Sequence, residues 1–221
     1  MLIFYSGEFM FNNFIFVTLF LSLFCNYLNS SPFIKSEWIA KNSCRKNVKV
    51  IEIGSSSKSF LTQHIPCAVY TDFYKDNWRI KKNNVAMSLP KIQELANLIG
   101  RLGVKNEDHV VLYGRGLNKY NIAEITSIYF TFKYLGHKKI SILNGGIKQY
   151  TKTWSNDIDI GENDPKTVEY FPEPNYSILA NASDIYRNVK NKLQIIDSRE
   201  KDYFLGINKL SNYDYYGTIP D

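Results

Sequence analysis

The sequence predicts an α/β fold: a central, mainly parallel sheet flanked by helices. Three observations carry that expectation. Short β-rich runs ending in glycine recur at Lys46–Gly54 (KNVKVIEIG), His109–Gly114 (HVVLYG) and Lys138–Gly146 (KKISILNGG). Segments with helical spacing of apolar residues separate these runs, and the connections are short. The runs themselves show little apolar–polar alternation, as strands buried on both faces do.

The elements follow in chain order. SEWIAKN, from Ser36, reads as a helix with Ser36 as its cap, and Lys46–Gly54 is the first buried strand. In SLPKIQELANLIGRLG, Ser88 is a candidate N-cap and Pro90 lies in the first turn. Ile92, Leu95, Ile99 and Leu102 form one apolar face, and Gly103 is a stop. The strand HVVLY runs into Gly114. Ile122, Ile125, Tyr129 and Phe132 then recur at helical spacing up to Gly136. After Lys138–Gly146, the amphipathic IKQYTKTW closes a domain spanning 32–155.

Composition places this unit among globular proteins: of 221 residues, 44% are apolar and 22% charged. The net charge of +6 favours anionic ligands. The basic residues are scattered among acidic ones, which argues against nucleic acid. The three cysteines, Cys25, Cys44 and Cys67, show neither CxxC spacing nor a nearby His pair, so no zinc site is expected. An odd count argues against a disulfide framework, although a Cys44–Cys67 bridge stays open for an exported chain. Arg45 and Lys46 beside Cys44 could depress its thiol pKa.

The N-terminus stands apart. Phe14–Cys25 (FIFVTLFLSLFC) is an uncharged apolar run followed by NYLNSS, and its length suits a signal-peptide core better than a membrane span. Residues 1–31 are therefore expected to be a signal peptide or an N-terminal membrane anchor. The first makes the protein exported, periplasmic or secreted; the second gives membrane association.

Beyond the first domain, residues 156–177 are polar, acidic and proline-bearing, and read as a linker. The chain then begins to repeat itself. SEWIAKN resembles SDIYRNV from Ser183, VIEIG (Val50–Gly54) resembles IIDSR (Ile195–Arg199), and HIPCA from His64 resembles the terminal TIPD. Three matches in the same order suggest a tandem duplication. Residues 178–221 would be the N-terminal part of a second, truncated copy. In the first copy Pro66 precedes Gly114 by 48 residues, so the counterpart of Gly114 is expected beyond Asp221.

The turn after HVVLY is where an α/β fold places its chemistry. Its candidate residues are Gly114, Arg115, Gly116, Leu117, Asn118 and Lys119. A dinucleotide fingerprint fails, because the third glycine position holds Lys119 and no acid ends the next strand. A P-loop fails for want of the second glycine and the hydroxyl. A cysteine phosphatase would need Cys and Arg where Gly114 and Tyr120 stand.

A different family fits the surroundings. FIKSEWIA, NVKVIEIG, QHIPCAVYTDF (Gln63–Phe73), LGVKNEDHVVLYG and FKYLGHKKISILNGGIKQY together resemble, in order, the segments of the rhodanese family of sulfurtransferases. LQIIDSREKDYF and YGTIPD resemble the beginning of a second rhodanese domain, the pattern of a tandem thiosulfate sulfurtransferase.

The resemblance implies a mechanism. Active members carry a cysteine as the first loop residue after the central strand, and backbone N–H groups and a helix N-terminus stabilise its thiolate and persulfide. Sulfane sulfur passes from thiosulfate or a similar small anionic donor to cyanide or a thiol acceptor, with no cofactor and no metal. Here that position is Gly114, so the first domain is expected to be catalytically degenerate, with no catalytic residue in this chain. The persulfide would form in the second domain, whose active loop is absent. The alternative is a non-catalytic rhodanese-like module that binds a partner or an anion near Arg115 and Lys119. Cys67 reads as a small buried residue in a tight turn, His64 as a structural histidine, and Asp197 and Arg199 as braces of the second copy.

Overall fold

The computed structural model describes residues 32–54, 56–116, 119–189, 194–209 and 216–219. The apolar N-terminal run, Leu117 and Asn118, and the last two residues lie outside the described residues. Seven strands and seven α-helices are described. They are β1 (Phe33–Ile34), α1 (Ser36–Asn42), β2 (Val48–Gly54), α2 (Lys58–Thr62), β3 (Val69–Asp72), β4 (Ile80–Lys82), β5 (Val85–Ser88) and α3 (Ile92–Arg101). After these come β6 (His109–Tyr113), α4 (Lys119–Tyr134), β7 (Ile140–Leu143), α5 (Gly146–Tyr150), α6 (Ala182–Val189) and α7 (Lys201–Phe204).

Five strands form one sheet in the order β1-β7-β6-β2-β3, and every neighbouring pair is parallel. The expected sheet is therefore the observed one. Alternate residues of β2 serve opposite faces: Ile51 and Ile53 pack with α3 and α4, whereas Val48 and Val50 pack with α1, α2 and α5. Burial on both faces explains why the strand sequences read as continuous apolar runs. Chain order reverses between β2 and β6, since β3 lies on one side and β7 on the other. In open α/β sheets ligands favour the crevice at the carboxyl ends of two such strands.

Several local expectations change. The N-cap of α1 is Lys35, not Ser36, which lies inside the helix with its hydroxyl buried. Ser88 does not cap α3 either: it ends β5 and its hydroxyl donates to the Val85 carbonyl, at 3.1 Å. The Lys91 amide, at the cap position of α3, instead donates to Glu94 Oε2 at 3.0 Å. The β4–β5 hairpin turns at Asn83 and Asn84, with φ of 49° and 63°. Asparagine tolerates this left-handed conformation, which a two-residue hairpin turn requires. Helix α4 buries Ile125 and Phe132 as its apolar spacing suggests, with Tyr129 packed against the core, but Ile122 is 59% exposed, while Ile128 and the polar Asn121, Glu124 and Thr131 are also buried.

Residues 156–177, read as a linker, contain no α-helix or regular strand, yet much of this stretch is strapped to the domain. His64 and Asp159 exchange backbone hydrogen bonds of 2.9 Å each. The Val168 amide donates to the Gly100 carbonyl (3.0 Å), Glu173 to Leu135 (2.9 Å) and Asn175 to Tyr134 (2.7 Å). Tyr170 enters the core at 4% exposure, its hydroxyl 3.3 Å from His137 Nδ1. A side chain at Gly100 would strike the Val168 carbonyl, which accounts for a glycine inside a helix.

The cysteine readings change too. Cys44 and Cys67 form a disulfide, so neither is a free thiol. Cys67 is exposed rather than buried, and adopts φ +60° in its turn. Its amide donates to Asp159 Oδ2 at 3.0 Å. His64 is fully buried between the Phe60 carbonyl (2.9 Å) and the Asn163 side-chain amide (3.1 Å), a structural histidine as read.

Within 178–219, α6 is capped by Asn181, whose Oδ1 accepts from the Asp184 amide (3.0 Å); Ser183 lies inside the helix. Ile195–Arg199, read in the sequence as the counterpart of β2, is not a strand and pairs with none among the described residues; Ile196 is 78% exposed. Asp197 and Arg199 form a bidentate pair that also reaches the Gly217 carbonyl. Among the described residues no helix is long and apolar enough to cross a membrane.

Candidate functional site

The candidate loop leaves β6 at the β2–β6 switch point. Val110 and Leu112 face α4, and Gly114 continues that parity one step beyond the strand. The Gly114 carbonyl accepts from the Ile147 amide at 3.1 Å, tying this loop to the turn after β7. That turn is built from Gly145 and Gly146, at φ +76° and +56°. A side chain at Gly146 would strike the Gly114 carbonyl, so the two loops approach closely because neither bears a Cβ there. A cavity of about 460 Å³ opens beside them, lined by Gly114, Gly116, Ile125, Gly145, Lys148 and Lys152.

Of the six candidate residues, Gly114, Arg115, Gly116 and Lys119 are described. Arg115 turns away from the loop. Its Nε lies 2.7 Å from Glu52 Oε1, and its second guanidinium nitrogen donates to the Gln63 carbonyl at 2.7 Å. The ion pair is largely enclosed, with side-chain exposures of 16% for Arg115 and 2% for Glu52. Lys119 is exposed and pairs with Glu200 at 2.5 Å. Both cations expected to face an anion are therefore already matched to carboxylates.

The sequence reading missed the groups that organise this end of the sheet. Glu52 stands in register with Tyr70 on β3 and Tyr113 on β6, a polar row across three strands. Burial pushes the Glu52 carboxyl above its ordinary range; Tyr113 and then Arg115 pull the other way without cancelling the rise. Burial likewise raises the Tyr70 and Tyr113 hydroxyls, helped at Tyr70 by Asp72, Glu52, Asp76 and Glu124. The β2–β3 side of the crevice is thus carboxylate-rich. A charge inside VIEIG was the signal in the sequence for Glu52, because an ionised residue in a strand buried on both faces needs a partner.

Asn121 and Glu124, one helical turn apart on α4, were also missed. Asn121 Nδ2 donates to the Ile53 carbonyl at 3.0 Å and to Glu124 Oε2 at 3.3 Å. These bonds hold the side chain directly over Gly114. A Cβ built on Gly114 would lie 2.1 Å from Asn121 Oδ1, 2.8 Å from Asn121 Cγ and 2.9 Å from Ile125 Cδ1.

Comparison with known proteins agrees with this architecture. The family model described as a rhodanese-like domain matches residues 35–153. Thiosulfate sulfurtransferase from Bos taurus is 30% identical over 159 residues, covering 67% of this chain and 49% of its own length. The sulfur carrier protein TtuD from Thermus thermophilus is 26% identical over 207 residues, covering 87% of this chain and 67% of its own. The chain thus spans about half to two thirds of the curated relatives it matches. Among solved structures, the 3-mercaptopyruvate sulfotransferase SseA from Escherichia coli superposes with a TM-score of 0.67 at 20% identity, over 79% of this chain and 70% of that one. Tum1 from Saccharomyces cerevisiae gives 0.67 at 19%, over 85% and 67%. At these identities the structural likeness is one of fold. The mainly parallel sheet, the glycine-built loop at its switch point and the family match over more than half the chain lead to one conclusion: this chain belongs to the rhodanese family.

Proposed function

We propose that the protein is a rhodanese-type sulfurtransferase of tandem two-domain organisation, and that residues 32–155 are its catalytically degenerate first domain. One observation carries the reading: where the resemblance places the family's nucleophile, at the β2–β6 switch point, stands Gly114, and a Cβ there would lie 2.1 Å from Asn121 Oδ1. Residues 178–221 begin the second domain, after the linker 156–177. Sulfane sulfur passes from thiosulfate or a similar donor to cyanide or a thiol acceptor through a cysteine persulfide on the second domain's loop, outside these 221 residues. In that step a thiolate attacks the outer sulfur of the donor, the S–S bond breaks, and sulfite leaves with the bonding electrons. The relatives' greater length supports this division of labour.

The chain's own residues supply a rigid first domain. Its loop is held by Arg115 on Glu52 and by the Gly114–Ile147 hydrogen bond. Among the described loop residues, Arg115 and Lys119 are paired with carboxylates, which supports this reading over an anion-binding module. Residues 1–31 serve as a signal peptide or membrane anchor, which N-terminal sequencing of the mature protein tests.

The activity test is thiosulfate-to-cyanide transfer, read as thiocyanate, by two proteins: the 221-residue chain and the product of the reading frame continued past codon 221. The first should give background only. The second should turn over and be silenced by thiol alkylation. Substantial turnover by the 221-residue chain would sink the assignment of Gly114; a thiosulfate-inert longer product would sink the sulfurtransferase reading.

A further inference from the structure

Gly114 is not required by its backbone, because its φ is not among the left-handed values of this chain. What excludes a side chain there is space, and the space is taken by Asn121. That residue is 8% exposed and cannot easily swing aside, since its Nδ2 is bonded to the Ile53 carbonyl and to Glu124, while Ile125 closes the other side. The Ile53 carbonyl needs a donor, so the amide nitrogen faces β2 and the amide oxygen faces Gly114. The group presented at the nucleophile's position is thus a hydrogen-bond acceptor, as a thiolate or persulfide is.

We propose that Asn121 is a built-in ligand of the degenerate loop: its side-chain amide occupies the volume of the absent nucleophile and closes this domain to sulfur chemistry independently of Gly114. The proposal rests on reading Gly114 as the vacated cysteine position. It adds that two residues, not one, silence the domain. With the amide removed, a thiol at position 114 would gain room. Its thiolate would attack the outer sulfur of thiosulfate, the S–S bond would break, sulfite would leave with the electron pair, and a persulfide would remain.

Five variants of the full 221-residue chain test this: Gly114→Cys, Asn121→Ala, their combination, and Gly114→Ala with and without Asn121→Ala. The Cys44–Cys67 disulfide keeps that pair out of the thiol readouts, and Cys25→Ser in every variant removes the third cysteine. A thiol lowered by one pKa unit from about 8.5 is roughly ten times more ionised at neutral pH. The combined cysteine variant should therefore release sulfite and gain one sulfur atom by mass about tenfold faster than Gly114→Cys alone, with a lower alkylation midpoint. Independently of chemistry, Gly114→Ala should lower Tm in the native background and far less beside Asn121→Ala, the non-additivity expected of atoms in collision. Equal sulfite rates and alkylation midpoints in the single and combined variants would overturn the proposal. So would additive Tm changes, or a folded combined variant that stays inert. None of these outcomes depends on whether the longer product is a sulfurtransferase.

Discussion

Replacing Arg115 by Met removes the guanidinium from a carboxylate that is 2% exposed, and the cost follows from the structure. Breaking a buried ion pair from one side costs about 3–5 kcal/mol, because the remaining charge is stranded. The bond to the Gln63 carbonyl is lost as well. Against a total stability of order 5–15 kcal/mol this is a large share. At about 2–4 °C per kcal/mol for a chain of this size, Tm should fall by roughly 10 °C. The loss should depend on pH with a definite sign. Glu52 has its folded pKa raised above the ordinary 4.5, so its contribution to stability is complete below about that value and declines as pH rises through the folded value. Without Arg115 the folded value rises further, and the decline extends toward neutrality. Thermal melts from pH 4 to 8 should therefore show the variant close to wild type at the acid end and far below it at pH 8. Glu52→Gln in the same background should recover part of the loss at pH 8, since a neutral amide is cheaper to bury. A pH-independent deficit, or one under about 1 kcal/mol at pH 8, would refute the assignment of a buried, partnered carboxylate.

Three further outcomes follow. Replacing Cys44 and Cys67 together by Ser should cost about 3 kcal/mol, by the loop-closure estimate for a separation of 23 residues, and urea melts should show no further loss on adding reductant. His137 is held below its ordinary pKa by burial, outweighing the attraction of Asp108, so its contribution is present above about pH 6.5 and lost as pH falls through the lower folded value. His137→Phe should therefore show a flatter acid limb between pH 7 and 5 than wild type, and an unchanged limb would count against it. Tyr170→Ala should cost about 3–5 kcal/mol, as for a large aromatic core side chain, and should raise hydrogen exchange at the Val168 and Glu173 amides. Unchanged exchange there would mean that Tyr170 does not hold the strap.

The parts of this fold that were readable from sequence are those where burial imposes a period. The β2, β6 and β7 runs and the α3 face with Leu95 and Ile99 appear where their apolar residues put them. Helix α4 was legible in part: Ile125 and Phe132 are buried where their spacing puts them, but the buried stripe also takes in Asn121, Glu124 and Thr131, whose hydrogen bonds leave no trace in hydropathy. The hairpin at Asn83–Asn84 did carry a signal, two residues tolerant of positive φ between short runs, and was missed. The strap looked like a tether because many of its anchors are main-chain groups: carbonyls of Gly100, Tyr134 and Leu135 accept from it, and no side-chain pattern encodes such bonds. At the candidate site, Gly114 was legible as a vacancy by resemblance. That Asn121 stands against Gly114 is visible only in three dimensions, with six residues and a turn between them.

The strap also sets a leash length. A free segment of 22 residues could reach ~75 Å when fully extended. Here the last main-chain anchor before α6 is the Asn175 amide on Tyr134, so six residues, 176–181, separate that point from Ala182. Six residues span at most ~20 Å. Whatever follows α6 is therefore kept near the Tyr134 end of α4, at the high local concentration that a short connection imposes. Cutting the strap's anchors would lengthen the leash without adding a residue.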